Sequence, residues 1–188
     1  PGCWQTFSLG QVQFIMLDCR YYRDLKQKSM LGSFQKQWLK NTLLKSNATF
    51  KVIASSVPFS TGIKPGSKDP WDGYPEEREE IFCFIEEEKI EGVLFIAADR
   101  HRIDFRKISR PKGYDFLEFV SGRITNRHVH SVVKTDGLVW GYNKTCGYCL
   151  LNFNTTKKNP EMKFEAYDNS GILLFAQKVL AADLKFSN

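Results

Sequence analysis

The chain has 188 residues, 42% of them apolar, with 27 Lys and Arg against 21 Asp and Glu for a formal net charge of +6. That is enough for one good core and too little for two ordinary domains, and the positive balance favours anionic partners without choosing among them. No apolar run approaches a membrane span and no basic, apolar leader opens the chain, so no membrane-spanning segment is expected within it.

In chain order, Gln11-Val-Gln-Phe-Ile-Met-Leu-Asp18 begins by alternating and turns continuously apolar, as a strand entering a buried sheet does. It delivers Asp18, Arg20, Arg23 and Asp24 at its end, where open α/β sheets place ligands and where surface ion pairs are also common. Gly32-Ser33 opens a helix expected to run to about Ser46, with Ser33 as N-cap and Phe34, Trp38, Leu39 and Leu43 on its buried side. Phe50 to Ser56 reads as a second strand. Val57 to Tyr74, rich in Pro, Gly, Ser and Lys, reads as a long loop, with Trp71 either anchoring it or walling a pocket. Pro75 starts a second helix whose first turn is acidic and whose Ile81, Phe82 and Ile85 face inward.

Gly92 to Ala98 is a further apolar strand, followed by Asp99-Arg-His-Arg102. Extended backbone would set Asp99 and His101 on one side and Arg100 and Arg102 on the other, which gives either a carboxylate and an imidazole at metal-ligand spacing or, more simply, a hydrogen-bonded histidine beside a loop-side ion pair of Asp99. Arg100, Arg102, Arg106, Lys107, Arg110 and Lys112 then form a positive cluster, either a solvated face or a phosphate-binding one. Beyond Gly113 the pattern becomes strand after strand: Phe116 to Val120, Val132 to Tyr142, Gly147 to Phe153, Met162 to Tyr167 and Ile172 to Leu180, read together as a second, antiparallel sheet. His128 and His130 share one side of an extended segment but have no acidic or Cys neighbour, so each reads as an ordinary histidine. Five cysteines argue against a closed disulfide framework, and Cys146-Gly-Tyr-Cys149 without a second pair is not a zinc ribbon; two incidental thiols or one local disulfide fit better. Asn47, Asn143 and Asn154 head glycosylation sequons that matter only in a secretory compartment.

Five segments in register resemble the alkaline phosphatase D, or PhoD-like, metallophosphatases. They are Phe14-Ile-Met-Leu-Asp-Cys-Arg-Tyr-Tyr-Arg-Asp24, Ser29-Met-Leu-Gly to Trp38-Leu39, Lys51 to Pro58, Asp69-Pro-Trp-Asp-Gly-Tyr-Pro-Glu-Glu-Arg78, and Phe95-Ile-Ala-Ala-Asp-Arg-His-Arg102 in the place of the family's Gly-Asp-x-His motif. Ala98, Cys19 and Arg102 stand where the family usually has Gly, Thr and a second His. The resemblance implies a four-layer α/β/β/α sandwich, of which this chain looks like the C-terminal half: a single domain over residues 1–188, with a strand and helix part to 112 and a β-rich part from 113. It implies hydrolysis of phosphate mono- or diesters, with Asp99 and His101 as metal ligands in the catalytic centre and Arg20, Arg100 and Arg102 as phosphate-binding side chains. Iron and calcium are the metals it suggests.

The family's remaining ligands lie in an upstream half, and residues 1–91 contain no His, so completion by an absent N-terminal segment or a second chain is expected. The alternative is a non-catalytic remnant that binds an anion or a protein partner through its basic patch. Nucleic acid is a weaker fit, because charge alone supports it and no recognition motif does. The compartment is not legible.

Overall fold

The computed structural model describes residues 2–125 and 127–186. Ten strands, β1 (Gln5–Leu9), β2 (Val12–Met16), β3 (Phe50–Ala54), β4 (Val93–Ala97), β5 (Ile103–Ile108), β6 (Phe116–Val120), β7 (Leu138–Tyr142), β8 (Gly147–Asn154), β9 (Glu161–Asp168) and β10 (Leu173–Leu180), accompany two helices, α1 (Gly32–Leu44) and α2 (Pro75–Glu87). Seven strands form one sheet in the order β1-β2-β3-β4-β6-β5-β7, and three form a second in the order β10-β9-β8. Within the first sheet β2, β3, β4 and β6 are parallel, while β1, β5 and β7 run antiparallel to their neighbours. The chain is therefore mixed α/β, as its early alternation of strand and helix implies.

Successive residues of each strand face opposite layers, and the sequence supplies apolar groups to both. On one face Phe95 and Phe116 meet Phe82 of α2, with ring centroids 5.6 and 5.1 Å from it. Lys36 and Lys40 of α1 both pair with Glu80 of α2, so the two helices lie side by side on that face. On the other face Phe119 lies 4.6 Å from Phe164 of β9, and Phe50 lies 5.3 Å from Phe153 of β8. The layering is α/β/β. The outer face of the small sheet leaves Tyr148 and Leu150 exposed, and no described helix covers it.

Several sequence expectations are corrected. Phe116–Val120 and Leu138–Tyr142 belong to the first sheet, β6 pairing in parallel with β4; an apolar run shows burial but not which edge it pairs with. Strand β5 escaped notice because Asp104 and Arg106 look like surface charges, and β1 because all five of its residues are exposed. Ser33 is not the helix cap. The Gly32 N–H donates instead to Ser29 Oγ at 2.9 Å, and the Met30 and Leu31 N–H groups donate to the buried carboxylate of Glu77 on α2. Phe34 points outward at 77% exposure and Trp38 is half-buried, while Leu39 and Leu43 are buried as expected.

The long loop is anchored. Trp71 is fully buried, stacks on Phe59 at 4.5 Å and donates its Nε1–H to Ser55 Oγ at 3.1 Å. Glu118, buried in β6, accepts the Phe59 and Ser60 N–H groups. Burial pushes its carboxyl above the ordinary range, against the pull of those donors and of Arg106.

Candidate metal centre

Parallel strands end on the same side of a sheet, so the segments after β2, β3, β4 and β6 meet at one rim. Asp18, just past β2, accepts N–H groups from Cys3, Arg20 and Tyr21 at 3.2, 2.9 and 3.0 Å. Burial opposes its ionisation, but these donors outweigh burial and hold the carboxyl below its usual range. Asp69, at the far end of the long loop, gathers Arg23 Nη1 at 2.6 Å, Arg20 Nη1 at 3.0 Å and Lys64 Nζ at 3.3 Å. Partial burial acts against the charge here too, yet Arg23, Lys64 and Arg20 bring the carboxyl down to about 2. Arg20, expected to bind phosphate, is thus engaged by Asp69 while its side chain stays 55% exposed.

The backbone after β4 is not extended. Asp99 and His101 both adopt left-handed conformations, with φ of 71° and 50°, which L-residues enter at a cost. The two side chains are therefore not set on one side by strand alternation. Asp99 Oδ2 lies 4.0 Å from Lys64 Nζ and 3.8 Å from Arg100 Nη1. Arg100, expected on the opposite side from Asp99 and His101 and as a phosphate-binding side chain, is buried at 2% exposure, and its Nε and Nη1 have no hydrogen-bond partner among the described residues. Burial, reinforced by the neighbouring charge of Arg102, lowers its pKa.

Arg102 turns into the protein. Its Nε donates to both oxygens of Asp104 at 2.9 and 3.0 Å, Nη1 donates to the Ser131 carbonyl, and Arg106 grips the same carboxylate from the other side at 3.0 Å. Farther along, Arg110 is paired with Glu79 and Glu86, and Lys107 with Asp115. Half of the positive cluster read from sequence, Arg102, Arg106 and Arg110, is internal and matched by acids.

The segment after β6 brings in what that reading missed. His101, His128 and His130 each offer a ring nitrogen, and these nitrogens lie within 4.8 Å of one another. The rings pack at centroid distances of 5.6, 5.4 and 4.6 Å. His101 Nδ1 is 3.1 Å from the His128 carbonyl oxygen, which can only accept, so Nδ1 carries a proton and Nε2 is the nitrogen left for a ligand role. Burial and the Arg100 charge lower the His130 pKa, which favours its neutral ring. The His-x-His spacing was visible in the sequence; its partner 27 positions earlier was not. Asp99 lies outside this group of three. Imidazoles suit borderline transition ions, and the Asp99 carboxylate suits a harder one. No cysteine joins this group among the described residues; all five are free of disulfides, and Cys149 lines the cavity between the sheets.

A family model described as PhoD-like phosphatase matches residues 2–184. Alkaline phosphatase D of Bacillus subtilis (strain 168) is 31% identical over 136 aligned residues, covering 56% of this chain and 23% of that protein. Among solved structures, PhoD superposes with a TM-score of 0.60 at 22% identity, over 94% of this chain and 43% of its own. GAP50, the anchor in the inner membrane complex of Plasmodium, gives 0.63 at 15% identity, over 100% and 56%. The purple acid phosphatase PPD1 from yellow lupin seeds gives 0.65 at 12% identity, over 96% and 33%. These likenesses show a shared fold. The chain spans 23% of its curated relative and between 33 and 56% of these solved chains.

Proposed function

Because the chain belongs to the PhoD-like phosphatase family, we propose that it serves in the hydrolysis of phosphate mono- or diesters at a metal centre on the rim where its parallel strands end. The observation that carries this reading is the placement of Asp99 and His101 on two left-handed residues directly after the central strand, inside the family match. Asp99 and His101 would hold the metal, for which the family suggests iron or calcium. When bound, such an ion polarises phosphoryl oxygens and lowers the pKa of a bound water. The chain's own residues do the rest. The His128 carbonyl fixes the His101 ring, Asp69 restrains Arg20 and Lys64 at the mouth, and those cations draw in a phosphate ester.

Two protein ligands do not complete such a centre. We therefore propose that a further segment or a second chain supplies the remainder, seated on the open side of the two-sheet core. A cavity of about 290 Å3 lined by Met16, Ala54, Ile96, Phe119, Leu151 and Phe164 supports that arrangement, as does the edge strand β8, which among the described residues pairs with β9 alone. A second, non-catalytic reading, with the chain acting as a partner-binding module, is favoured by the likeness to GAP50, whose described role is that of an anchor.

The test is metal content by mass spectrometry alongside hydrolysis of aryl phosphate mono- and diesters by the full-length protein, with and without His101→Ala. Loss of metal and turnover together supports the enzyme reading. Full activity in the variant removes His101 from the centre, and an inactive, metal-free wild type favours the anchor.

A further inference from the structure

The three-histidine group needs no other chain to complete its donor set. We propose that His101, His128 and His130 form a self-contained site for a borderline divalent transition ion such as Zn2+ or Co2+, and that the buried Arg100 guanidinium beside it makes the site one for the ion together with an oxyanion.

Four observations carry the proposal. First, one ring nitrogen of each histidine already lies within 4.8 Å of one on each of the other two. Three nitrogens at about 2.0–2.1 Å from a tetrahedral ion stand roughly 3.4 Å apart, so small ring rotations close the group. Second, His101 has the orientation of a ligand, since its Nδ1–H is taken up by a backbone carbonyl and Nε2 is left for an ion; ligating imidazoles are held in this way. Third, the fold spends strain and contacts on the gathering. His101 sits at a φ of 50°, and the segment carrying the other two rings is tied down where Ser131, Val133 and Thr135 accept from the buried Arg102 and Arg106. Fourth, Arg100 is buried with Nε and Nη1 unpartnered among the described residues, and Asp99, its nearest acid, stands at 3.8 Å, too far for a hydrogen bond.

A buried cationic side chain with open donors is costly unless an anion satisfies it. A cation beside it would add repulsion, so ion and anion should bind together, three imidazoles leaving an open position for the anion's oxygen. The three-imidazole donor set differs from the Asp99 and His101 centre proposed above for iron or calcium, with which it shares His101, so the two ions exclude one another. The proposal does not depend on the chain being a phosphatase.

The experiment is titration of the 188-residue chain with Co2+, read by the visible absorption of the bound ion and by calorimetry, with and without inorganic phosphate. Wild type should bind one Co2+ with a tetrahedral or five-coordinate spectrum, and millimolar phosphate should tighten it at least several-fold. His128→Ala, at an exposed position that leaves the core alone, should weaken binding about 100-fold or more, since even outer-shell partners of ligands cost 10–100-fold. His130→Ala should do the same, whereas Asp99→Asn should change Co2+ affinity less than about threefold. If Asp99→Asn is as damaging as the histidine variants, the ion belongs to the carboxylate centre and the three-imidazole site falls. Unchanged binding in His128→Ala and His130→Ala overturns it too, and an affinity indifferent to phosphate overturns the role given to Arg100. Each readout is independent of ester hydrolysis, so a chain that binds Co2+ through the three histidines but hydrolyses nothing separates this proposal from the enzyme reading.

Discussion

His101 Nδ1 and the carbonyl oxygen of His128 stand 3.1 Å apart, joining the loop after β4 to the loop after β6 across 27 positions. The contact fixes which nitrogen of His101 is free, and it does so with backbone rather than with a second titrating group. The rim owes its shape to pairings of this kind between loops.

The strained backbone under Asp99 and His101 predicts an inverted glycine scale. At a φ of 50° alanine keeps the unfavourable conformation and loses the ring contacts, whereas glycine relieves the conformation. His101→Gly should therefore be more stable than His101→Ala by about 1 kcal/mol, a separation of roughly 2–4 °C in Tm for a chain of this size. Both variants should lose metal equally. Thermal melts of the two proteins side by side decide it; an Ala variant as stable as the Gly variant would mean that the backbone carries no strain there.

Asp104 is the acid between two fully buried arginines, Arg102 and Arg106. Asp104→Asn keeps the shape and removes the charge, leaving two guanidinium groups buried with no carboxylate. Unfolding by urea should show a loss of about 3–5 kcal/mol, the range for stripping one partner from a buried ion pair. A loss below about 1 kcal/mol would mean that water reaches this strand.

Acid stability should depend on Asp69. Its folded pKa is brought down to about 2 from an ordinary value of 3.8, by Arg23, Lys64 and Arg20 acting against burial. Between those values the unfolded chain binds the proton and the folded one does not, so stability rises with pH through that window. The contribution is complete above about pH 5 and is lost as pH falls toward 2. Asp69→Asn should flatten the stability profile between about pH 5 and 2 and lower the plateau above it. An unchanged slope would show that the three cations do not act on Asp69 in solution.

Open edges predict association. Every residue of β1 is exposed, Phe7 and Leu9 among them, and among the described residues β8 has a partner on one side only. Unpaired strand edges beside apolar surface recruit other chains. Sedimentation velocity of the 188-residue chain alone should show dimers or larger species that grow with concentration. A single monomeric boundary that also melts cooperatively would count against an incomplete core.

Much of the fold was present in the sequence as local pattern. The apolar runs from Phe14, Phe50 and Val93, the Pro75 helix start and the inward set Ile81, Phe82 and Ile85 all follow from periodicity and terminal chemistry, which act over a few residues. Membership of the phosphatase family was legible too, because five short motifs keep their order along the chain.

What the tertiary structure decided concerns partners far apart in sequence. Nothing local tells β6 to pair with β4 rather than with a later hairpin, and nothing local distinguishes Arg102 and Arg106, neutralised inside by Asp104, from charges on a solvated face. His128 and His130 looked ordinary because the third imidazole comes from another loop, and Asp99 and His101 looked like strand neighbours because φ cannot be read from two side chains. Sequence fixes what each short segment can bury and which groups it carries. Pairing and burial fix which charges are cancelled and which donors meet, because both depend on distance in space and on water being excluded.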